Sequence, residues 1–76
     1  MTTHSIAELK PAQSGVVTEV GGERAFRRRL MEFGLVPGTT VTLRKVAPLG
    51  DPLELEVRGC RLSIRKREAA AVLLDL

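Results

Sequence analysis

The chain has 76 residues, of which 43% are apolar and 28% charged, and 12 lysines and arginines stand against 9 acids for a net charge of +3. That size allows one domain with a small core and no cleft between two lobes. The apolar and charged shares are those of an ordinary globular protein rather than a disordered one, and no apolar run approaches the roughly 18 residues of a membrane span.

Two phenylalanines, no tyrosine and no tryptophan argue against base-stacking platforms, proline-rich peptide grooves and methyl-lysine cages, all of which are built from aromatic rings. Met1 to Ser5 lacks the basic start and apolar stretch of a secretory signal. The single cysteine, Cys60, can form no disulfide within the chain. Together these predict a protein of a reducing compartment, held by its core alone. Residues 1–5 are expected to form a flexible terminus ahead of one domain.

Taken in chain order, Ser5 to Pro11 reads as a short opening segment with Ile6 and Leu9 as its apolar contacts. Gly15 to Val20 reads as a strand, because Val16, Val17 and Val20 carry β-branched bulk; alternation does not decide which of Val16 and Val17 faces inward. Gly21-Gly22 ends it. A helix is expected over residues 23–33, with Phe26, Leu30 and Phe33 sharing the buried face at i, i+4 and i+7. Glu23 in its first turn would suit the helix dipole. Gly34 is placed to take the left-handed cap, and Leu35 to fold back as the apolar contact of that cap.

Val36-Pro37-Gly38-Thr39 matches a type II turn, with proline presetting φ and glycine supplying the positive φ that follows. Thr40 to Val46 reads as a strand with Val41 and Leu43 on one face. Pro48-Leu49-Gly50-Asp51-Pro52 is a loop with a proline at each end. Leu53 to Arg58 alternates cleanly, Leu53, Leu55 and Val57 inward and Glu54, Glu56 and Arg58 outward. Gly59 and Cys60 are expected to form a tight turn. Arg61 to Arg65 returns with Leu62 and Ile64 inside, Lys66 to Ala69 forms one helical turn, and Ala71 to Leu76 closes the set.

About five short strands and one inserted helix follow. A flat sheet of that size would leave a face and two edges bare, so the fold class is mainly β: a small, partly open five-stranded barrel of the SH3-like kind.

No constellation for catalysis is present. There is no glycine-rich phosphate loop with its lysine. His4 and Cys60 are the only soft metal ligands, and a closed zinc site needs four. Arg58 and Arg61 flank Cys60 and could activate it, but His4, the lone histidine, lies in the terminus expected to be flexible, and Cys60 reads as a small residue at a turn. The reading is of a non-enzyme with no cofactor and no metal site of its own.

Two surfaces remain. The first is the arginine group Arg24, Arg27, Arg28 and Arg29, of which Arg24, Arg27 and Arg28, with Met31, are expected to face away from the core: either a solvated face with an Arg28–Glu32 pair at i, i+4 or a docking face for an acidic partner. The second is the loop Pro48, Leu49, Gly50, Asp51, Pro52. It is either a proline-stiffened hairpin connection or a rigid holder of an exposed leucine, which loses little entropy on binding. A second class of function, nucleic-acid binding, would use Arg58, Arg61, Arg65, Lys66 and Arg67. Glu54 and Glu56 nearby and the missing aromatics weigh against it, and no nucleic acid is expected. A third class is an oligomer sharing a metal through His4 or Cys60 of several chains; no feature fixes a subunit number.

The run Arg28-Arg29-Leu30-Met31-Glu32-Phe33-Gly34-Leu35-Val36-Pro37-Gly38-Thr39 resembles a signature of FeoA domains. Ala47-Pro48-Leu49-Gly50-Asp51-Pro52-Leu53 resembles their second signature. Arg58-Gly59, Leu62-Ser63-Ile64-Arg65-Lys66 and Glu68-Ala69 follow in family order, and Leu9-Lys10-Pro11 also fits, so the similarity runs from about Ile6 to Leu76. Ala12 departs from the glycine usual after the Lys-Pro pair, which predicts a first turn needing no positive φ. The resemblance implies an SH3-like barrel and a cytoplasmic accessory protein of bacterial ferrous-iron uptake. Its implied partner is the membrane permease with a cytoplasmic GTPase domain, which it would regulate or assemble. On that reading Leu49 is the apolar anchor, the arginine face steers, and Gly34, Pro37 and Gly38 shape the helix exit. Arg27 and Arg28 are the candidates for an arginine finger acting on the GTPase, a device that can raise turnover about 10³–10⁵-fold.

Overall fold

The computed structural model describes residues 3–76. Its elements are β1 (Thr3–Ser5), a 3₁₀ turn (Ile6–Glu8), β2 (Ser14–Val20), α1 (Arg24–Glu32), β3 (Thr40–Val46), β4 (Leu53–Val57), β5 (Cys60–Ile64), α2 (Lys66–Ala69) and β6 (Val72–Asp75). The strands form one six-stranded sheet in the order β1-β6-β2-β3-β4-β5, and every neighbouring pair is antiparallel. The mainly β expectation holds, with one strand more than the sequence suggested. The extra strand is Thr3–Ser5, which pairs with Leu73–Asp75. That part of the expected flexible terminus is therefore sheet, and Met1 and Thr2 lie outside the described residues.

The sheet is apolar on one side only. β4 alternates buried and half-buried residues, and β6 does the same. A one-sided sheet with little helix to cover it must curl around its own apolar face. Two irregularities of register sharpen that curl, one in β2 between Val17 and Glu19 and one in β3 between Leu43 and Lys45. The first also resolves the valines. An additional residue at the bulge lets Val17 and Val20, three apart, both point inward, and leaves Val16 41% exposed. The core joins Val17, Val41, Leu43, Leu55, Val72 and Leu74 of the strands to Ile6, Leu9, Leu30 and Leu35.

α1 is shorter than expected. Glu23 has extended backbone (φ −63°, ψ 153°) and precedes the helix, so no acid stands in the first turn. At the other end Leu30 is 1% exposed, Phe26 is half-buried, and Phe33, expected inside, is 53% exposed. The helix stops at Glu32, and Gly34 at φ +98° reverses the chain. Gly34 N–H then donates to Met31 O (3.0 Å) and Leu35 N–H to Leu30 O (3.2 Å), the paired bonds of a Schellman cap. Leu35, next after the cap glycine, is fully buried. The type II turn forms as read, with Thr39 N–H donating to Val36 O at 3.1 Å and Gly38 at φ +93°.

Two turns differ from expectation. The β4–β5 hairpin turns on Arg58 and Gly59 (φ +53° and +79°), not on Gly59 and Cys60, and Val57 pairs with Cys60. Two successive positive φ values make a two-residue turn whose twist matches the strands. Ala12 adopts φ +72°, so the first turn does need the left-handed conformation and takes it with a β-carbon in place. Ala12 N–H donates to Leu43 O at 2.7 Å, and Leu43 N–H donates to Gln13 O at 3.0 Å; this pair of bonds to β3 holds the turn there.

Candidate interaction surface

The Pro48–Pro52 loop is tied at its base. Ala47 N–H donates to Pro52 O (3.1 Å), and Gly50 N–H donates to Ala47 O (2.7 Å) with Gly50 at φ +85°. Asp51 reaches sideways: its Oδ1 accepts the N–H of Lys66 at 3.0 Å, which joins the loop to the start of α2. Leu49 stands at the tip, 96% exposed. Among the loop residues, then, Asp51 has a structural bond to keep, and Leu49 has no packing duty inside the domain.

α1 presents Arg24, Arg27 and Arg28 to solvent, with Met31 42% exposed beside them. These arginines, Met31 and Glu32 line a shallow hollow. Ion pairs within 4 Å among the described residues are His4–Glu8, Arg29–Glu68, Arg44–Glu56 and Arg61–Glu54. The pair considered for Arg28 and Glu32 is not one of them, and Arg24, Arg27 and Arg28 keep free charges. Glu54 and Glu56 are paired with arginines of the strands on either side. Arg44 Nε donates to Glu56 Oε1 at 2.8 Å, which holds the Glu56 carboxyl below the usual carboxylate range.

Arg29, not counted on the outward face by the sequence, connects that face to the base of the loop: it lines one hollow with Arg24 and Arg28. It lines another together with Pro52, Ser63, Ile64, Arg65 and Glu68. Its guanidinium stands 3.5 Å from the carboxylate of Glu68, which is nearly buried. The signal was present in the spacing: Arg29 is three residues after Phe26, beside the apolar stripe and not opposite it. Among the described residues no three His, Cys, Asp or Glu side chains gather closely enough to hold a metal ion, and no helix is long and apolar enough to cross a membrane.

Comparison with known proteins adds the relationship. A family model described as FeoA domain matches residues 4–76. The chain is 34% identical over 71 residues to a Fe(2+) transport protein A/Fe(2+) transporter FeoB fusion protein of Porphyromonas gingivalis; the match covers 93% of this chain and only 8% of that much longer protein. Among solved structures, FeoA of Chlorobium tepidum superposes with a TM-score of 0.91 at 40% identity, covering 96% of this chain and 70% of that one. FeoA of Stenotrophomonas maltophilia, solved with zinc and described as a prokaryotic SH3 domain protein, superposes with a TM-score of 0.83 at 34% identity, over 95% of this chain and 89% of that one. IdeR of T. acidophilum, 19% identical, shares the fold with a TM-score of 0.86 over 35% of its own length. From His4 to its last residue, this chain belongs to the FeoA domain family.

Proposed function

We propose that this domain is a non-enzymatic docking module of ferrous-iron uptake, acting in the cytoplasm on the GTPase-bearing part of a ferrous-iron permease. The single observation that carries the reading is Leu49. A leucine left 96% exposed on a loop braced at both ends contributes nothing to the fold and is already arranged for contact, so little conformational entropy is lost when a partner covers it. The FeoA–FeoB fusion in Porphyromonas gingivalis supports the choice of partner, because there the two parts share one chain. The unpaired cations Arg24, Arg27 and Arg28 would steer the approach to an acidic surface and set its salt dependence.

The test is capture of the permease's cytoplasmic domain by the wild type, by Leu49→Asp and by Arg24→Glu/Arg28→Glu. The expected result is loss of capture with Leu49→Asp and a weaker, more salt-insensitive interaction with the double variant. Equal recovery by all three would remove both surfaces from the interface. GTP hydrolysis by the captured domain, measured with Arg27→Ala and Arg28→Ala, tests the arginine finger in the same experiment; a rate unaffected by either variant rejects it.

A further inference from the structure

β5 is an edge of the sheet, and its outer side has no backbone partner among the described residues. The register says which groups are free. A two-residue turn on Arg58 and Gly59 closes on the pair Val57 and Cys60. In an antiparallel ladder bonded and non-bonded pairs alternate. Cys60, Leu62 and Ile64 therefore direct their N–H and C=O groups to β4, and Arg61 and Ser63 direct theirs outward. Edge groups of this kind are a template for another strand.

The rest of the molecule leaves that edge reachable. α1 begins beside Arg67 and Ala71 and ends where Gly34 meets Val57 and Arg58. It therefore runs antiparallel to β5, while Arg61 and Ser63 of the edge stay exposed. The crossing from helix to strand is made by the Arg29 side chain, over a hollow of about 310 Å³ that Pro52, Ser63 and Ile64 also line. Extended peptides add to exposed sheet edges of this kind.

Charge selects the occupant. From Val57 to Arg67 the sequence holds Arg58, Arg61, Arg65, Lys66 and Arg67 and no acid; Glu68, which also lines the hollow, is already held by Arg29 and the Arg65 N–H. A second copy pairing through its own β5 would bring two such segments together, and like charges directly opposite are destabilising. A phosphate chain lying on the sheet face would meet Glu54 and Glu56, which share that face with Arg61. A strand added edge-on avoids them, since it lies two inter-strand steps, about 10 Å, from β4.

We propose that the free edge of β5 is a docking site for an extended acidic polypeptide segment. The segment takes main-chain hydrogen bonds from Arg61 and Ser63. It sets acidic side chains against Arg61 and Arg65, and small apolar ones toward the hollow lined by Ile64 and Pro52. This site meets the Pro48–Pro52 loop only at Pro52, does not use Leu49, and does not depend on the permease reading.

The probe is a synthetic eight-residue peptide alternating glutamate and valine, titrated into the isotope-labelled domain. Binding should slow amide hydrogen exchange at Arg61 and Ser63. Methylating the peptide's alternate backbone nitrogens that face β5 should weaken binding about tenfold or more, since two or so hydrogen bonds are lost. Replacing its glutamates by lysines should do the same, and Arg61→Glu/Arg65→Glu should reverse the preference. Ser63→Pro, a change an edge strand tolerates, should lose the unmodified peptide while keeping the amide spectrum of a folded domain. If that variant fails to fold, the methylated peptide alone decides. Equal affinity for the methylated peptide would overturn the proposal. So would perturbations confined to α1 or the Leu49 loop, absence of binding at millimolar peptide, or tighter binding at this edge by a single-stranded oligonucleotide of equal charge.

Discussion

Nη2 of Arg29 stands 3.5 Å from Oε2 of Glu68, and the other oxygen of the same carboxylate accepts the backbone N–H of Arg65 at 2.8 Å. One nearly buried side chain thus starts α2 and tethers α1, which otherwise touches the sheet through few residues. Replacing Glu68 by alanine leaves the Arg65 N–H without its partner and should cost about 1–2 kcal/mol. Arg29→Ala removes a pair whose arginine is 65% exposed and should cost less than about 1 kcal/mol. Glu68→Gln, which keeps an acceptor, should fall between them. Urea denaturation of the three variants checks the order; a larger loss from Arg29 than from Glu68 would refute it.

The Schellman cap at Gly34 makes a sharp distinction between two apolar residues of α1. Leu30 is 1% exposed and Phe33 53%. Leu30→Ala should cost about 2–5 kcal/mol, as deletion of a buried leucine does. Phe33→Ala should cost less than about 1 kcal/mol, within the range of surface changes. Thermal unfolding of both variants separates this arrangement from a helix continued through residue 33, in which the phenylalanine would be the costlier loss.

Much of this arrangement was legible in the residues because turn chemistry and alternation are local. The pattern of β4 follows from Leu53, Leu55 and Val57 at every second position, and the cap follows from Gly34 with Leu35 behind it. What escaped was set by partners distant in sequence. β1 is a strand because Leu73–Asp75 offers it an edge, and nothing in Thr3-His4-Ser5 announces that. Phe33 fits the helical period, yet it stands at the helix boundary where the chain reverses, and its side chain is exposed. The surface candidates divided in the same way. An exposed leucine between two prolines could be read from the loop, while the tie from Asp51 to Lys66 and the Arg29–Glu68 pair needed the fold.

Ala12 departs from expectation for a related reason. Its backbone conformation at φ +72° is imposed by the two hydrogen bonds that flank it, from Ala12 N–H to Leu43 O and from Leu43 N–H to Gln13 O, not by its own side chain. A β-carbon in the left-handed region costs about 1–2 kcal/mol, and glycine returns about 0.4–1 kcal/mol of that through the freedom it adds to the unfolded chain. Ala12→Gly should therefore stabilise by roughly 0.5–1 kcal/mol, a rise of several degrees in Tm for a domain of this size. Ala12→Val, branched at the strained position, should lower Tm. A Tm unchanged or lowered by glycine would mean that the strain is absent.

Acid should weaken the fold through two carboxylates whose protonation it opposes. Glu8 is held below the usual carboxylate range by the Ser5 N–H, which donates to it at 2.7 Å, and by His4 beside it. Glu56 is held low by Arg44. Each group binds a proton less readily folded than unfolded. Their contribution is therefore present above the ordinary value of 4.5 and is lost as pH falls through the lowered folded values. The urea midpoint should be nearly flat from neutral pH to about pH 5 and then decline. In Glu8→Gln the neutral-pH midpoint should drop and the decline should be shallower, because one proton-linked group is gone. Arg44→Met should flatten it similarly by releasing Glu56. A slope below pH 4.5 that neither variant changes would place the acid sensitivity in other carboxylates.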